Sequence, residues 1–250
     1  MPQGAGTLGR PLHSSWGAVL SEPSKNVRKP SKAAPPLPGG ARASHGLLGG
    51  GGRVGRVNDM NNALVWIDCE MTGLDLHRDA LIEVAVVITD ANLNVLDPGL
   101  DVVIKPTDEA IAGMNDFVRN MHVTSGLLEE LPQGLSMREA TDQVLAYIKR
   151  FVTHPGKALL AGNSVGNDKN FLVRDMPEVI EHLHYRIVDV SSIKELARRW
   201  YPNAYFNAPA KTGNHRALGD IIDSINELKY YREAIMVPAP GPSAAELSEG

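Results

Sequence analysis

Cysteine is nearly missing from this 250-residue chain: Cys69 stands alone, so no disulfide can close within it and no zinc site can be built from several thiolates. That usage fits a reducing compartment. Long apolar runs are missing as well. A membrane-spanning helix needs about 18 consecutive apolar residues, whereas the longest runs here are strand-sized, such as Val84 to Ile88, so no membrane partner is expected. Positive charge is scarce over most of the chain. Residues 1 to 57 hold eight Lys or Arg against one acid, Glu22, a balance of +7, and the total of −4 leaves −11 for the remainder. Proteins that hold long nucleic acids draw affinity from neutralising phosphates and releasing counterions. An acidic domain argues against long duplexes, but not against short substrates held through bound metal.

What is present divides into three stretches. Residues 1 to 60 are rich in Gly, Pro, Ser and Ala, include the run Gly49 to Gly52, and show no helical or strand period. The expectation is a disordered N-terminal extension. Its arginines permit an organellar transit peptide, its proline and glycine load suits a targeting helix poorly, and a misassigned start with Met60 as first residue stays open. From 61 to 236 the pattern is that of one folded domain, and the tail 237 to 250, with Pro238, Pro240 and Pro242, is expected to be unstructured.

Within the domain, ALVWIDC, LIEVAVVITD and VLDPGLDVVIKP read as three successive strands, the third bent at Pro98-Gly99. A helix over Ser136 to Val152 carries Met137, Ala140, Val144, Tyr147, Ile148 and Phe151 on one stripe, with Ser136 and Glu139 placed for a capping box. Strands over Ala158 to Ala161 and Arg186 to Val190 each lead into a helix, and a last helix spans about Arg216 to Ala234. Strands in succession followed by alternating helices and strands predict an α/β class, with a mixed central β-sheet flanked by helices.

In WIDCEMTG, Asp68 and Glu70 lie two apart at the end of a hydrophobic strand, so both side chains project from one face while Cys69 faces the other. Two anions at a buried strand end need a proton or a cation, and hard oxygen donors suit Mg²⁺ or Mn²⁺. A solvated strand end is the bland alternative. Asp168, in GNSVGND, follows a strand and a glycine-bearing loop at a helix start, where the helix dipole favours an anion; by itself it reads as a cap. In His215-Arg-Ala-Leu-Gly-Asp220, five helical steps of about 100° would set the two side chains some 140° apart. His215 is therefore expected in the lead-in loop and Asp220 on the first turns of the helix.

Taken together, Asp-X-Glu, Asp and His-X4-Asp resemble the DEDDh family of 3′-to-5′ exonucleases, with every required residue type present. WIDCEMTGLD, TDANLNVL, the GNSVG loop, HLHYRIVDVSSIKELARRWYP and NHRALGDI extend the resemblance to the oligoribonucleases over about Leu64 to Tyr231, in a form that looks bacterial.

The resemblance implies a ribonuclease H-like exonuclease fold and hydrolysis of short RNA, about two to five nucleotides and dinucleotides above all, to nucleoside 5′-monophosphates. It implies two divalent cations, Mg²⁺ or Mn²⁺, held by Asp68, Glu70, Asp168 and Asp220. Two ions about 3.5 to 4 Å apart can clamp the attacking and leaving oxygens of a phosphoryl displacement. His215 would take the proton of the attacking water, a task that suits imidazole near neutral pH.

Family likeness also implies a pocket for the 5′ phosphate at Ser164, Arg186 and Ser191, base contacts at Leu74 and Phe117, and phosphate contacts near His122 and Tyr185. Many members carry tryptophan where Phe117 stands, and plain core is the other reading of that residue. Ser191 also reads as the N-cap of the following helix. A homodimer in which Tyr185 and Arg186 reach the partner's site is a further implication, as is a cytoplasmic location, or a mitochondrial one if the extension is a transit peptide. Arg198 and Arg199 read as a solvated helix face, Tyr230 and Tyr231 as packing, and Asp189 as structural rather than a fifth carboxylate ligand.

Overall fold

The computed structural model describes residues 62–211 and 216–248. The N-terminal extension expected over residues 1 to 60, and His215, lie outside the described residues. Strand β1, Leu64–Met71, runs antiparallel to β2, Leu81–Thr89, which pairs antiparallel with β3, Leu100–Val103. On its other side β1 pairs in parallel with β4, Leu159–Gly162, and β4 in parallel with β5, His184–Asp189. The order β3-β2-β1-β4-β5 is thus a five-stranded mixed sheet, with β1 at its centre.

Alternation along β1 sorts its side chains onto two cores. Val65, Ile67, Cys69 and Met71 face the layer that holds α4, Met137–Phe151, α5, Gly166–Asp175, and α6, Pro177–His182. Trp66 faces the opposite layer, where Ala217, Ile221, Ile225 and Leu228 of α9, Ala217–Ile235, recur at helical spacing. Burying each large aliphatic side chain contributes roughly 1.5 to 3 kcal/mol, so the two faces lock the central strand from both sides. Sequence period thereby fixes which residues of β1 are core and which are left to point, with Trp66, towards α9.

The helix expected over Ser136 to Val152 is α4, and its capping box is present: the Glu139 amide donates to Ser136 Oγ at 3.3 Å and the Ser136 amide to Glu139 Oε2 at 3.0 Å. The stretch read as one bent third strand is divided. Val95 makes only an isolated bridge to Thr89, and regular pairing resumes at Leu100. Gly99 between them has φ of 103°, a left-handed conformation, and a Cβ there would lie 2.8 Å from Leu218 Cδ1 of α9. The glycine at this break lets α9 pack close to the sheet.

Ahead of α4 lie three short helices: α1, Asp108–Gly113, α2, Asp116–Thr124, and α3, Leu127–Glu130. Strand β5 leads into α7, Val190–Trp200, and α8, Pro202–Phe206. The tail contains a helix that the sequence reading did not anticipate, α10, Ala244–Ser248, held at its start by reciprocal Ser243 and Glu246 hydrogen bonds. Among the described residues no helix is long and apolar enough to cross a membrane.

Candidate active site

The C-terminal end of β1 meets the first turn of α9. Asp68 and Glu70 project on the α9 side, and Asp220 comes down from the helix to meet them, so that one carboxylate oxygen from each lies within 4.8 Å of the other two. Asp168, on the first turn of α5, reaches the same strand from the other direction: its Oδ1 accepts the Cys69 amide at 3.1 Å. Cys69 itself is buried in the opposite core, as alternation requires.

These anions are held against their own charge. Burial pushes the Asp68 carboxyl well above the usual carboxylate range, and the neighbouring Asp168, Glu70 and Asp220 push it further. Burial, then Glu83, Asp220 and Asp168, raise Glu70 to about 8, with Arg216 pulling the other way. Burial raises Asp168 to about 6, partly offset by the hydrogen bonds it accepts from backbone amides. A pocket that makes carboxylates keep protons until neutral pH is short of positive charge, and a hard divalent cation would supply it. The donor set therefore fits such a cation.

The cleft over this cluster has a volume of roughly 520 Å³ and is lined as well by Ser164, Ser191, Lys194 and Lys211. Ser164 sits at φ 53°, a strained turn, where its amide donates to Asp189 Oδ1 at 3.0 Å and its hydroxyl lies 3.0 Å from the Ser191 hydroxyl. Asp189 also accepts the Ser191 amide at 2.9 Å, which makes Asp189 the N-cap of α7 and a structural residue, as expected. Ser191 is therefore not the cap. Its hydroxyl is turned to the cleft, where it donates to Asn163 Oδ1 at 3.0 Å.

Other expected positions are dispersed. Leu74 is 71% exposed, Phe117 78% and Tyr185 72%, so Phe117 is not core. Arg186 is exposed on edge strand β5, its Nε donating to Tyr185 Oη at 3.0 Å. None of these four lines the cleft. His122 is fully buried, with Nε2 2.9 Å from the Met71 carbonyl at the end of β1.

Sequence reading passed over Glu83, Arg216, Lys194 and Lys211. Lys194 Nζ lies 2.9 Å and Lys211 Nζ 3.7 Å from buried Glu227, which also accepts from Asn163 at 3.0 Å. A signal was available for Glu83: a lone acid within LIEVAVVIT, a strand apolar on both faces, must find a partner when buried.

Residues 65–228 match the exonuclease family. The oligoribonuclease of Streptomyces griseus is 63% identical over 190 residues, covering 76% of this chain and 94% of that protein. That of Mycobacterium bovis (strain BCG / Pasteur 1173P2) is 53% identical over 190 residues, covering 76% and 88%. The chain belongs to the oligoribonuclease family. It is accordingly a 3′-to-5′ exoribonuclease, whose acidic cluster points to the use of divalent metal.

Solved structures of exonuclease I share its fold. One described as suggesting how processivity is achieved gives a TM-score of 0.55 at 15% identity over 70% of this chain. The enzyme from Methylocaldum szegediense gives 0.50 at 19% over 69%. The chain spans about two-fifths of the length of those proteins, 41% in both cases. At such identity the likeness shows the ribonuclease H-like architecture alone.

Proposed function

We propose that this oligoribonuclease-family protein removes nucleotides from the 3′ end of RNA about two to five residues long, dinucleotides above all, and releases nucleoside 5′-monophosphates. The observation that carries the reading is the convergence of Asp68, Glu70 and Asp220 within 4.8 Å, with Asp168 against the same strand, in a cleft of roughly 520 Å³. That volume lies in the range of small-molecule sites, about 300 to 1,000 Å³. It suits a dinucleotide better than a long chain.

Asp68, Glu70, Asp168 and Asp220 would hold two divalent cations, Mg²⁺ or Mn²⁺. When bound, such ions stabilise negative charge on both the attacking and the leaving oxygen of a phosphodiester. His215 accepts the proton of the attacking water, as an imidazole with an ordinary pKa near 6.5 does well at neutral pH. The paired hydroxyls of Ser164 and Ser191, which line the same cleft as the carboxylates, hold the 5′ phosphate. A terminal phosphate carries more charge than an internal diester, and a guanidinium fork suits it, which is the part read for Arg186.

Exposed Leu74 and Phe117 supply apolar faces for the bases. His122, whose Nε2 lies 2.9 Å from the Met71 carbonyl at the end of β1, is read with Tyr185 as a residue near the substrate phosphates. Tyr185 and Arg186 stand on the free edge of β5, away from their own cleft, as residues that complete the site of a second copy in a homodimer would. The lone buried cysteine and the bacterial relatives favour work in the cytoplasm.

The test is a length series. With Mg²⁺ or Mn²⁺, the protein should degrade a 5′-phosphorylated RNA dinucleotide much faster than a ten-mer. Equal rates on both would remove the short-substrate reading.

A further inference from the structure

Glu83, the third residue of β2, has no exposure and lies directly opposite Glu70 of β1 in the antiparallel register. A buried carboxylate next to an anionic cluster is costly unless it is paired. Its partner is Arg216, the residue at the N-cap of α9: Arg216 Nε lies 2.7 Å from Glu83 Oε1, and the Ala217 amide donates to Glu83 Oε2 at 3.2 Å. Arg216 makes no side-chain cap of its own, so Glu83 caps the helix from another strand. The same guanidinium reaches Glu130 of α3 at 2.7 Å and Asp101 of β3 at 3.6 Å. One arginine thus ties the start of α9 to three other elements.

The connection to the site is one hydrogen bond further on. The Asp220 amide donates to the Arg216 carbonyl at 3.1 Å, which makes Arg216 the foot of the turn that carries Asp220. Glu70 and Asp220 belong to segments far apart in sequence, and four links join them: Glu70 to Glu83 by strand register, Glu83 to Arg216 by ion pair, Arg216 to Asp220 by the first helical hydrogen bond, and Asp220 back to Glu70 within the carboxylate cluster. The loop is closed, and Arg216 is its one cationic member.

We propose that Arg216, clamped by Glu83, is a positioning residue that sets the height and rotation of α9 so that Asp220 meets Asp68 and Glu70 at cation-binding distance. The inference rests on the reading of that cluster as the metal centre of the nuclease. Two effects of Arg216 on cation binding have opposite sign, which makes the idea testable. As a nearby positive charge it repels a cation, so by electrostatics alone its removal would tighten binding. As a positioning residue it makes the site, so its removal loosens binding. Loss of residues that orient metal ligands typically weakens affinity or activity by about 10- to 100-fold.

The full chain and its Arg216→Ala and Arg216→Lys variants would be titrated with MnCl2 by calorimetry. Turnover of a 5′-phosphorylated RNA dinucleotide would be followed across a Mn²⁺ series. Arg216→Ala is expected to bind Mn²⁺ about 10- to 100-fold more weakly, with the half-activating concentration displaced by a similar factor and turnover recovering as Mn²⁺ saturates. Arg216→Lys, which keeps the charge but loses the fork, falls between. Unchanged or tighter Mn²⁺ binding in Arg216→Ala overturns the proposal. So does lower turnover at every Mn²⁺ concentration with no displacement of the midpoint, which is the mark of a merely structural role. If Arg216→Ala does not fold, Arg216→Lys decides by the same midpoint. Calorimetry separates the two readings: a chain that binds no Mn²⁺ sinks the metal centre and this proposal together, whereas unaltered binding in the variants sinks this proposal alone.

Discussion

Asp168 and Cys69, 99 positions apart, are joined by a hydrogen bond in which the Cys69 amide donates to Asp168 Oδ1 at 3.1 Å. The bond falls between Asp68 and Glu70, so the residue that stitches α5 to β1 is itself an anion beside the site. Structure and chemistry are therefore separable at this position. Asp168→Asn keeps an oxygen that can accept the amide but removes the charge, and is expected to melt within a few degrees of the unaltered protein while losing most turnover. Asp168→Ala leaves the Cys69 amide without its acceptor, a loss of roughly 1 to 3 kcal/mol. Thermal unfolding and dinucleotide turnover on both variants check the pair; an active Asp168→Asn would remove Asp168 from the catalytic set.

Stability of the cation-free protein should fall as pH rises. Glu70 titrates from an ordinary 4.5 up to about 8 in the fold, and Asp168 from 3.8 up to about 6. Between those limits the unfolded chain has released protons that the folded chain retains, so the slope of stability against pH is negative. The contribution is full below about pH 4 and is lost as pH passes 6 and then 8. Divalent cation replaces the protons and should flatten the profile. Melting temperatures in EDTA and in MnCl2 from pH 5 to 8.5 test this; a cation-free protein that grows more stable over that range contradicts it.

Phe117 offers a separate test because it stands 78% exposed. Surface truncation away from the core usually changes stability by no more than about 0.5 kcal/mol, so Phe117→Ala should leave the melting temperature in place. If the ring stacks on a base, KM should rise by the equivalent of about 1 to 3 kcal/mol, and Phe117→Trp, with a larger face, should lower it. Unchanged KM in both variants would take Phe117 out of the substrate site.

Ser191 is predicted to read the 5′ phosphate. Its hydroxyl meets that of Ser164 at 3.0 Å on the cleft wall, while the cap of α7 is made by Asp189, so Ser191→Ala leaves the cap intact. The preference for a 5′-phosphorylated over an unphosphorylated dinucleotide should shrink with little loss of stability. Equal loss on both substrates would assign the hydroxyl to general packing.

How much of this was legible in the sequence follows from the range of each interaction. Alternation in WIDCEM put Asp68 and Glu70 on one face and Cys69 on the other, because strand period is local. The capping box at Ser136 was readable for the same reason. The bend at Pro98-Gly99 was legible as a local turn, whereas the loss of regular pairing between Val95 and Leu100 was not. Nor was the Asp189 cap, whose Oδ1 gathers two amides from separate segments. The burial of His122, whose Nε2 lies 2.9 Å from the Met71 carbonyl, was not legible either, since it depends on a contact between residues 51 positions apart.

The central claim is that Asp68, Glu70, Asp168 and Asp220 form one divalent-cation centre. Calorimetric titration of the full chain and of Asp220→Asn with MnCl2 at pH 7.5 tests it most directly. The account predicts saturable binding of two Mn²⁺ per chain, with loss of at least one in the variant. Binding that is absent in the full chain, or undiminished when Asp220 is neutralised, would contradict it.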